Sequence, residues 1–227
     1  MLKAIFDYDN PVMSFICRII DLCVLSLLWL LCSLPVVTVG TATCSLYYAV
    51  IKSVRRQRSY PAKEFLGCFR KNLKLSLLLW LLFLFFGAIT FKVYLPLAAH
   101  FWFSSLWVDK ILAVLLTVGI FFFASLLLWS FPILSRFDTG ILKILELSLL
   151  QALRAPLTTV LCLIFTMAAL FLIRLEPLLL SILPGLLVWL LTFLMEPKLT
   201  RIYQENLASK QAKAPAATSL DTWYLKD

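Results

Sequence analysis

Histidine, charge and catalytic motifs are all scarce in this sequence. His100 is the only histidine, and Asp, Glu, Lys and Arg together make up 15% of the 227 residues. One histidine excludes a histidine-rich metal site. Patterns of the HExxH, P-loop and GxGxxG types are also missing. These absences predict a protein that is not an enzyme and that binds no cofactor and no metal.

Paired cysteines are missing as well. No CxxC pair occurs, which argues against a zinc site or a disulfide framework. Nearly all of the cysteines lie in or beside apolar segments, so we expect free thiols that pack as small apolar side chains. The six cysteines are Cys17, Cys23, Cys32, Cys44, Cys68 and Cys162.

Apolar residues, in contrast, dominate the chain. They make up 62% of it, and the mean hydropathy is +0.95. Soluble domains are about 45–50% apolar and about 25% charged. A soluble fold of this size could not bury so much apolar side chain. The composition therefore predicts an all-α polytopic membrane protein, surrounded by a lipid bilayer.

Long runs without charge locate the membrane spans. A helix crosses the bilayer core with about 20 apolar residues, and we expect spans at about 75–92, 111–131, 155–173 and 177–195. A further uncharged run, 22–51, is too long for one span and too short for two. Pro35 and Gly40 interrupt it, which predicts a first span at about 15–34 and a surface helix from Thr41 to Arg56. In the alternative, 41–57 is a sixth, short span.

The distribution of basic residues predicts the orientation. The chain carries a net charge of +9, and segment 52–74 holds eight Lys and Arg against Glu64 alone. Because Lys and Arg stay on the cytoplasmic side, we expect the basic segment 41–74 in the cytoplasm. The N-terminus is then outside the plasma membrane and the C-terminus inside; the six-span alternative puts the N-terminus inside. Anionic lipid headgroups, and not nucleic acid, are the predicted electrostatic partner.

A short Pro-x-x-Thr/Ser pattern recurs at Pro35, Pro132 and Pro197. Proline bends or ends a helix, so each is predicted to mark an exit at the cytoplasmic face. Amphipathic segments that start after Pro61 and after Asp138 precede two of these exits. The pattern suggests two related units, 59–136 and 138–201, within one membrane domain, 1–203. The polar tail 204–227 is predicted to be disordered.

Two polar groups in or beside the first span are candidate binding sites. The helix break offers hydroxyls and backbone groups that could bind a substrate or an ion, as in transporters with broken helices. Its residues are Thr38, Gly40, Thr41 and Thr43. The structural interpretation is a glycine turn with Thr41 as the next helix N-cap. Arg18 and Asp21, three residues apart on one helix face, line a polar path or form an interface ion pair.

The candidate contacts at the inner face are charged residues close to predicted span ends. Glu196 lies beside Pro197, near the membrane, and needs a partner such as Arg136 or Arg201. An ion pair is the simpler interpretation, and a proton relay is the alternative. The full set is Arg55, Arg56, Arg58, Arg136, Glu196 and Arg201.

Several short motifs carry a family resemblance. The sequence resembles the YesL-like family of bacterial membrane proteins. The resemblance is carried by Asp9-Asn10-Pro11, the stretch LLWLLCSLPVVTVG, Tyr47-Tyr48, Lys52 and the segment from Phe65 to Asn72. The resemblance covers most of residues 9–203. The family has no established activity, so it implies no catalytic residues. Its members are often encoded beside carbohydrate uptake and degradation systems, which implies an accessory role near sugar import.

Three functions remain open at this stage. The first is an accessory or assembly partner of a carbohydrate uptake system, bound to transporter subunits. The second is an autonomous small transporter or channel with its site at the threonine-rich break. The third is a membrane-bound sensor. The sequence does not indicate the oligomeric state.

Overall fold

Every regular element of the computed structural model is helical within the residues that it describes, 11–55, 60–103, 107–137 and 140–213. Short 3-10 segments lie at Val36–Thr38 and Pro177–Ser181, and a π-helix spans Val50–Arg55. The α-helices are α1 (Pro11–Ser33), α2 (Val39–Ala49), α3 (Pro61–Phe103), α4 (Trp107–Leu134), α5 (Ile141–Arg154), α6 (Pro156–Leu175) and α7 (Leu183–Lys213).

Five helices are long and apolar enough to cross a membrane. They contain Phe15–Ser33, Pro61–Val93, Trp107–Leu134, Pro156–Leu175 and Leu183–Ile202. The prediction of an all-α protein with five such helices is therefore confirmed. The last span is displaced from the predicted 177–195, because Pro177 starts a 3-10 turn and α7 begins only at Leu183.

Helix α3 is one unbroken helix of 43 residues. At 1.5 Å per residue it is about 65 Å long, against about 30 Å for a bilayer core. The predicted separation between an amphipathic helix after Pro61 and a span at 75–92 is wrong. No proline lies between Ala62 and Leu95, so nothing ends the helix where the basic segment meets the apolar run.

Helix α2 lies at the centre of the bundle and not on its surface. Eight of its eleven residues are buried, and it contacts α1, α3, α4 and α7. The predicted surface helix from Thr41 to Arg56 is therefore wrong over its described part, which ends at Arg55. The physical reason is size. Gly40, Ala42, Ser45 and Ala49 are small enough for neighbouring helices to approach from several sides.

The N-terminal helices fold back on each other. Trp29 of α1 bonds Thr43 of α2, and α1 also contacts Val50–Arg55, so the two helices run antiparallel. Trp80, later in α3, bonds Val36 just before α2, whereas Glu64, near the start of α3, pairs with Lys52 just after α2. Helix α2 is therefore antiparallel to α3 as well. Helices α1 and α3 consequently run in the same direction.

Two glycines allow helices to approach closely. A Cβ atom at Gly40 would lie 2.6 Å from Cβ of Trp80 and 2.9 Å from the ring of Phe131. A Cβ atom at Gly185 would lie 2.5 Å from Oγ of Ser26 and 2.7 Å from the carbonyl oxygen of Leu22. At each position these distances are too short for any side chain. Glycine at position 40 therefore fixes how α2 meets α3 and α4, and glycine at position 185 fixes how α7 meets α1.

The amphipathic segment after Asp138 forms helix α5, with Asp138 itself outside the described residues. Ile144, Leu147 and Ser148 are buried, whereas Leu142 is 84% exposed. The Ser148 hydroxyl lies 3.2 Å from that of Ser130 on α4, so a polar contact decides which face turns inward.

The predicted helix exits are only partly correct. Pro132 lies two residues before the end of α4, but Pro197 lies inside α7, which continues to Lys213. The tail predicted to be disordered from 204 is thus helical through 213, and 214–227 lies outside the described residues. The hydroxyl of Thr200 bonds the carbonyl of Glu196 and supports the helix beyond the proline.

Candidate functional site: the polar core around helix α2

The threonines of the helix break form bonds inside the bundle. Thr38 Oγ1 lies 2.6 Å from the carbonyl oxygen of Cys32 and 2.8 Å from that of Pro35. Thr43 Oγ1 donates to the carbonyl of Val39 at 2.8 Å and accepts from Nε1 of Trp29 at 3.3 Å. These hydroxyls join the end of α1 to the start of α2.

Thr41 connects α2 to α3. Its side chain is fully buried and its Oγ1 lies 2.8 Å from the Ser76 hydroxyl, which also contacts the carbonyl of Asn72 at 2.6 Å. Thr41 is not the N-cap that the sequence predicted, since α2 already begins at Val39 and the cap position is Thr38. Thr38 makes no side-chain cap bond there.

The Arg136–Glu196 pair is the most buried charged feature among the described residues. The guanidinium of Arg136, just past the end of α4, bonds the carboxylate of Glu196 on α7. Their side chains are only 4% and 9% exposed. Arg136 is one of the two partners that the sequence offered for Glu196; the other, Arg201, is exposed. Removing one member of such a pair costs about 3–5 kcal/mol, because a buried charge is left uncompensated.

Tyr47 and Arg55 lie beside this ion pair. Tyr47 is 3% exposed, and its phenol is within electrostatic reach of Arg136, Glu196 and Arg55. Arg55 donates from Nη1 to the carbonyl of Thr192 at 3.0 Å. Arg55 therefore links the π-helix to the part of α7 that precedes Pro197.

A second, more accessible charge cluster joins the π-helix to the start of α3. Lys52 Nζ lies 2.9 Å from a carboxylate oxygen of Glu64 and donates to the Tyr48 hydroxyl at 3.3 Å. Burial lowers the pKa of Lys52, but the bonds to Glu64 and Tyr48 outweigh burial and raise that pKa above its usual value. The ammonium group is therefore charged at physiological pH.

Four candidate residues remain, of which the structure describes two. Arg18 and Asp21 are both partly exposed on α1. Arg56 and Arg58 lie outside the described residues. Within the described part of the chain, no three His, Cys, Asp or Glu side chains lie close enough together to hold a metal ion.

Sequence reasoning missed most of the polar contacts between helices. Trp129 of α4 donates to Thr159 of α6 at 3.1 Å, and the N–H of Gly185 donates to Ser26 of α1 at 2.9 Å. Hydroxyl side chains inside uncharged runs are the signal that would have found them, since such residues join helices in membranes.

Two apolar clefts open toward the surroundings of the bundle. One, of about 540 Å³, lies between α3, α4 and α5, and another, of about 640 Å³, lies between α4 and α6. Phe83, Phe86 and Phe123 line the first, with Glu146 and Thr90 among its few polar side chains. Both clefts are suited to lipid chains or to a neighbouring transmembrane helix.

The comparison with known proteins extends over the N-terminal part of the bundle. Residues 22–92 match a family model described as "Protein of unknown function, DUF624". The match covers less than half of the chain, and includes about half of α1, all of α2 and the greater part of α3. No curated protein and no solved structure matches the chain. The polar core around α2 therefore lies largely in a segment that is similar to a family of unknown function.

Proposed function

We propose that this protein is a bacterial plasma-membrane accessory protein that assembles with the subunits of a carbohydrate uptake system and performs no catalysis itself. The observation that carries the proposal is the bonding of the threonine-rich break. Thr38, Thr41 and Thr43 all bond groups of this chain. Side chains that hold helices together in this way support a structural role better than a substrate site.

The outer surface of the bundle supports a partner within the membrane. Helices α4 and α6 expose large apolar side chains along their length, among them Val114, Leu115, Met167 and Phe171, which are each about two-thirds exposed. The bilayer covers such a face, and a partner's helix fits it equally well. The link to carbohydrate uptake rests on the YesL-like resemblance alone, and is an association rather than a mechanism.

The basic end of α3 supports a second contact outside the bilayer core. Lys63, Arg70, Lys71 and Lys74 are exposed on this helix, while Phe65 and Cys68 on its other side are buried. We propose that this end faces the cytoplasm, where anionic headgroups or acidic partner surfaces meet it. Since α1 runs in the same direction as α3, the N-terminus is then cytoplasmic as well.

The test is cross-linking in intact cells, followed by gentle solubilisation and identification of the copurifying proteins by mass spectrometry. We expect transporter subunits in near-equal amounts. The combined Lys63→Glu, Arg70→Glu and Lys74→Glu variant should lower their recovery. Lys110→Glu, an exposed lysine near the start of α4, is the matched control and should not. Recovery of the protein alone, or only with its own copies, contradicts the accessory role.

A second experiment separates the accessory role from a carrier. Thr41→Val and Thr43→Val should leave sugar uptake by the cells intact at equal membrane levels of the protein. Loss of uptake in these variants, with membrane levels unchanged, would favour the autonomous transporter, and reconstituted transport by the purified protein would then be the next assay.

A further inference from the structure

The apolar cleft between α3, α4 and α5, called here the Glu146 cleft, has a volume of about 540 Å³. Among the lining residues that the structure describes, Glu146 is the only one that carries a charge. Thr90 also lines the cleft, but its hydroxyl donates to the carbonyl of Phe86 on the same helix at 2.8 Å. The cleft therefore offers a ligand an apolar interior and one carboxylate.

The carboxylate lies at one end of the cleft. Ser148 of α5 meets Ser130 of α4, four residues beyond Leu126, which is the lining residue nearest the end of α4. Glu146 is within one turn of Ser148, so it lies at the Leu126 end. Along α4 the lining extends from Leu116 to Leu126, which at 1.5 Å per residue is about 15 Å. This length is about half of a bilayer core and matches the hydrocarbon depth of one leaflet.

Helix α5 places a positive charge beside the carboxylate. Lys143 lies one turn before Glu146, and both side chains are exposed. Residues three apart are neighbours on a helix surface, yet neither forms an ion pair within the described residues. The same helix exposes Leu142 and Leu153, as amphipathic helices at a membrane interface do. One negative and one positive group therefore lie at headgroup level beside the apolar cleft.

We propose that the Glu146 cleft binds one phospholipid with an ethanolamine headgroup. An acyl chain lies between α3 and α4, the ammonium group meets Glu146, and the phosphate meets Lys143. An anionic phospholipid offers this carboxylate no cation, and a choline headgroup offers it no N–H donor. A spanning helix of a partner is longer than the cleft, and its apolar side chains would pass both charges without meeting them.

Gly119 provides a way to fill the cleft. It lines the cleft on α4, and nothing lies within 4 Å of a Cβ atom built there. Gly119→Leu therefore places a side chain in the space of the acyl chain without disturbing the packing of the helices. Gly67→Leu is the matched control, because a Cβ atom at Gly67 also has nothing within 4 Å and this residue does not line the cleft.

The experiment uses the full chain in detergent micelles. An equimolar mixture of phosphatidylethanolamine and phosphatidylglycerol with the same acyl chains is added, and native mass spectrometry counts the lipids that remain bound. We expect about fivefold more phosphatidylethanolamine, which corresponds to about 1 kcal/mol, the upper value for an exposed ion pair. Glu146→Gln should abolish this preference. Glu176→Gln, which changes an exposed carboxylate just past the end of α6, should keep it.

Gly119→Leu should lose the bound lipid, whereas Gly67→Leu should retain it. Equal retention of the two lipids by the native chain would overturn the proposal, and so would a preference that survives Glu146→Gln. Loss of self-association in Gly119→Leu, with lipid retention unchanged, would assign the cleft to a second copy of this chain instead. The competition on the native chain decides the question even if the variants fold poorly. It needs no transporter subunit, so its outcome is separate from that of the accessory role.

Discussion

Gly185 of α7 donates its backbone N–H to Oγ of Ser26 on α1 at 2.9 Å, and the glycine brings no side chain of its own to this contact. The Ser26 hydroxyl in turn bonds the carbonyl of Leu22 at 2.8 Å and lies 3.2 Å from that of Ile182. One hydroxyl thus joins the first helix to the last at the residues where α7 begins.

Gly185→Ala should destabilise the protein by about 1–3 kcal/mol, because the added methyl group meets a backbone carbonyl that cannot move independently. Thermal unfolding in detergent, followed by tryptophan fluorescence, measures the effect. The matched control is Gly119→Ala on α4, where nothing lies within 4 Å of the new Cβ. That change should be neutral or stabilising by up to about 1 kcal/mol. Equal effects of the two substitutions would contradict the close approach of α1 and α7.

Glu196→Gln should cost about 3–5 kcal/mol, since it leaves the Arg136 charge buried without its counter-charge. The double variant Arg136→Met with Glu196→Leu should recover most of this loss, because a buried ion pair can be replaced by apolar side chains at little cost. The measurement is the midpoint of unfolding for Glu196→Gln, for Arg136→Met and Glu196→Leu singly, and for the double variant. Additive losses would show that the two side chains do not act as a pair.

Glu64→Gln provides the comparison for that experiment. Lys52 and Glu64 form an ion pair whose side chains are 25% and 16% exposed, so solvent screens the interaction. The substitution should cost no more than about 1 kcal/mol. A loss as large as that of Glu196→Gln would mean that the basic end of α3 is less accessible to water than its exposed lysines indicate.

Ser76→Ala should lower stability by about 0.6 kcal/mol and by no more than about 1.7 kcal/mol, the average and the maximum measured for side-chain hydrogen bonds between membrane helices. The side chain bonds Thr41 on α2, so its loss weakens a contact between two helices. Thr117→Val is the control, because Thr117 is exposed and bonds only Ala113 of its own helix. The control should change the unfolding midpoint by less than Ser76→Ala does, and the reverse order would contradict the role of the Thr41–Ser76 bond.

Reporter fusions test the orientation of the first helix. Because α1 and α3 run in the same direction, a fluorescent protein fused to the N-terminus should fluoresce, and alkaline phosphatase fused there should be inactive in intact cells. The same pair of reporters at the C-terminus should give the same result, since α7 ends on the side where α3 begins. An active N-terminal phosphatase would restore the sequence-based expectation of an external N-terminus.

The number of helices long enough to span a membrane followed from the lengths of the uncharged runs, because a bilayer imposes a length on each helix. The place of α2 could not be predicted in that way. Its glycine, threonines and tyrosines have the composition of a surface segment, yet small residues and hydroxyls also suit a tightly packed position between helices. Only the partners Trp29, Ser76 and Trp80, far away in sequence, decide between the two.

The sequence predicted an ion pair where a charged residue lies close to the membrane, because such a residue requires a partner of opposite charge. Glu196 next to a span end required a cation, and the sequence offered Arg136 and Arg201, of which the structure pairs Arg136. The Thr41–Ser76 contact depends instead on how α2 lies against α3. Nothing in the local sequence of either residue records that packing.

The π-helix at Val50–Arg55 has a wider turn than the α-helix that it continues. In an α-helix, residues three apart lie on the same side, so Lys52 and Arg55 would point toward one neighbour. Here Lys52 bonds Glu64 on α3 and Arg55 bonds the backbone of α7. The extra residue in this turn therefore allows Lys52 and Arg55 to reach two different helices. A chain shorter by one residue here would form a more regular helix, but it would lose either the Lys52–Glu64 ion pair or the bond from Arg55 to α7.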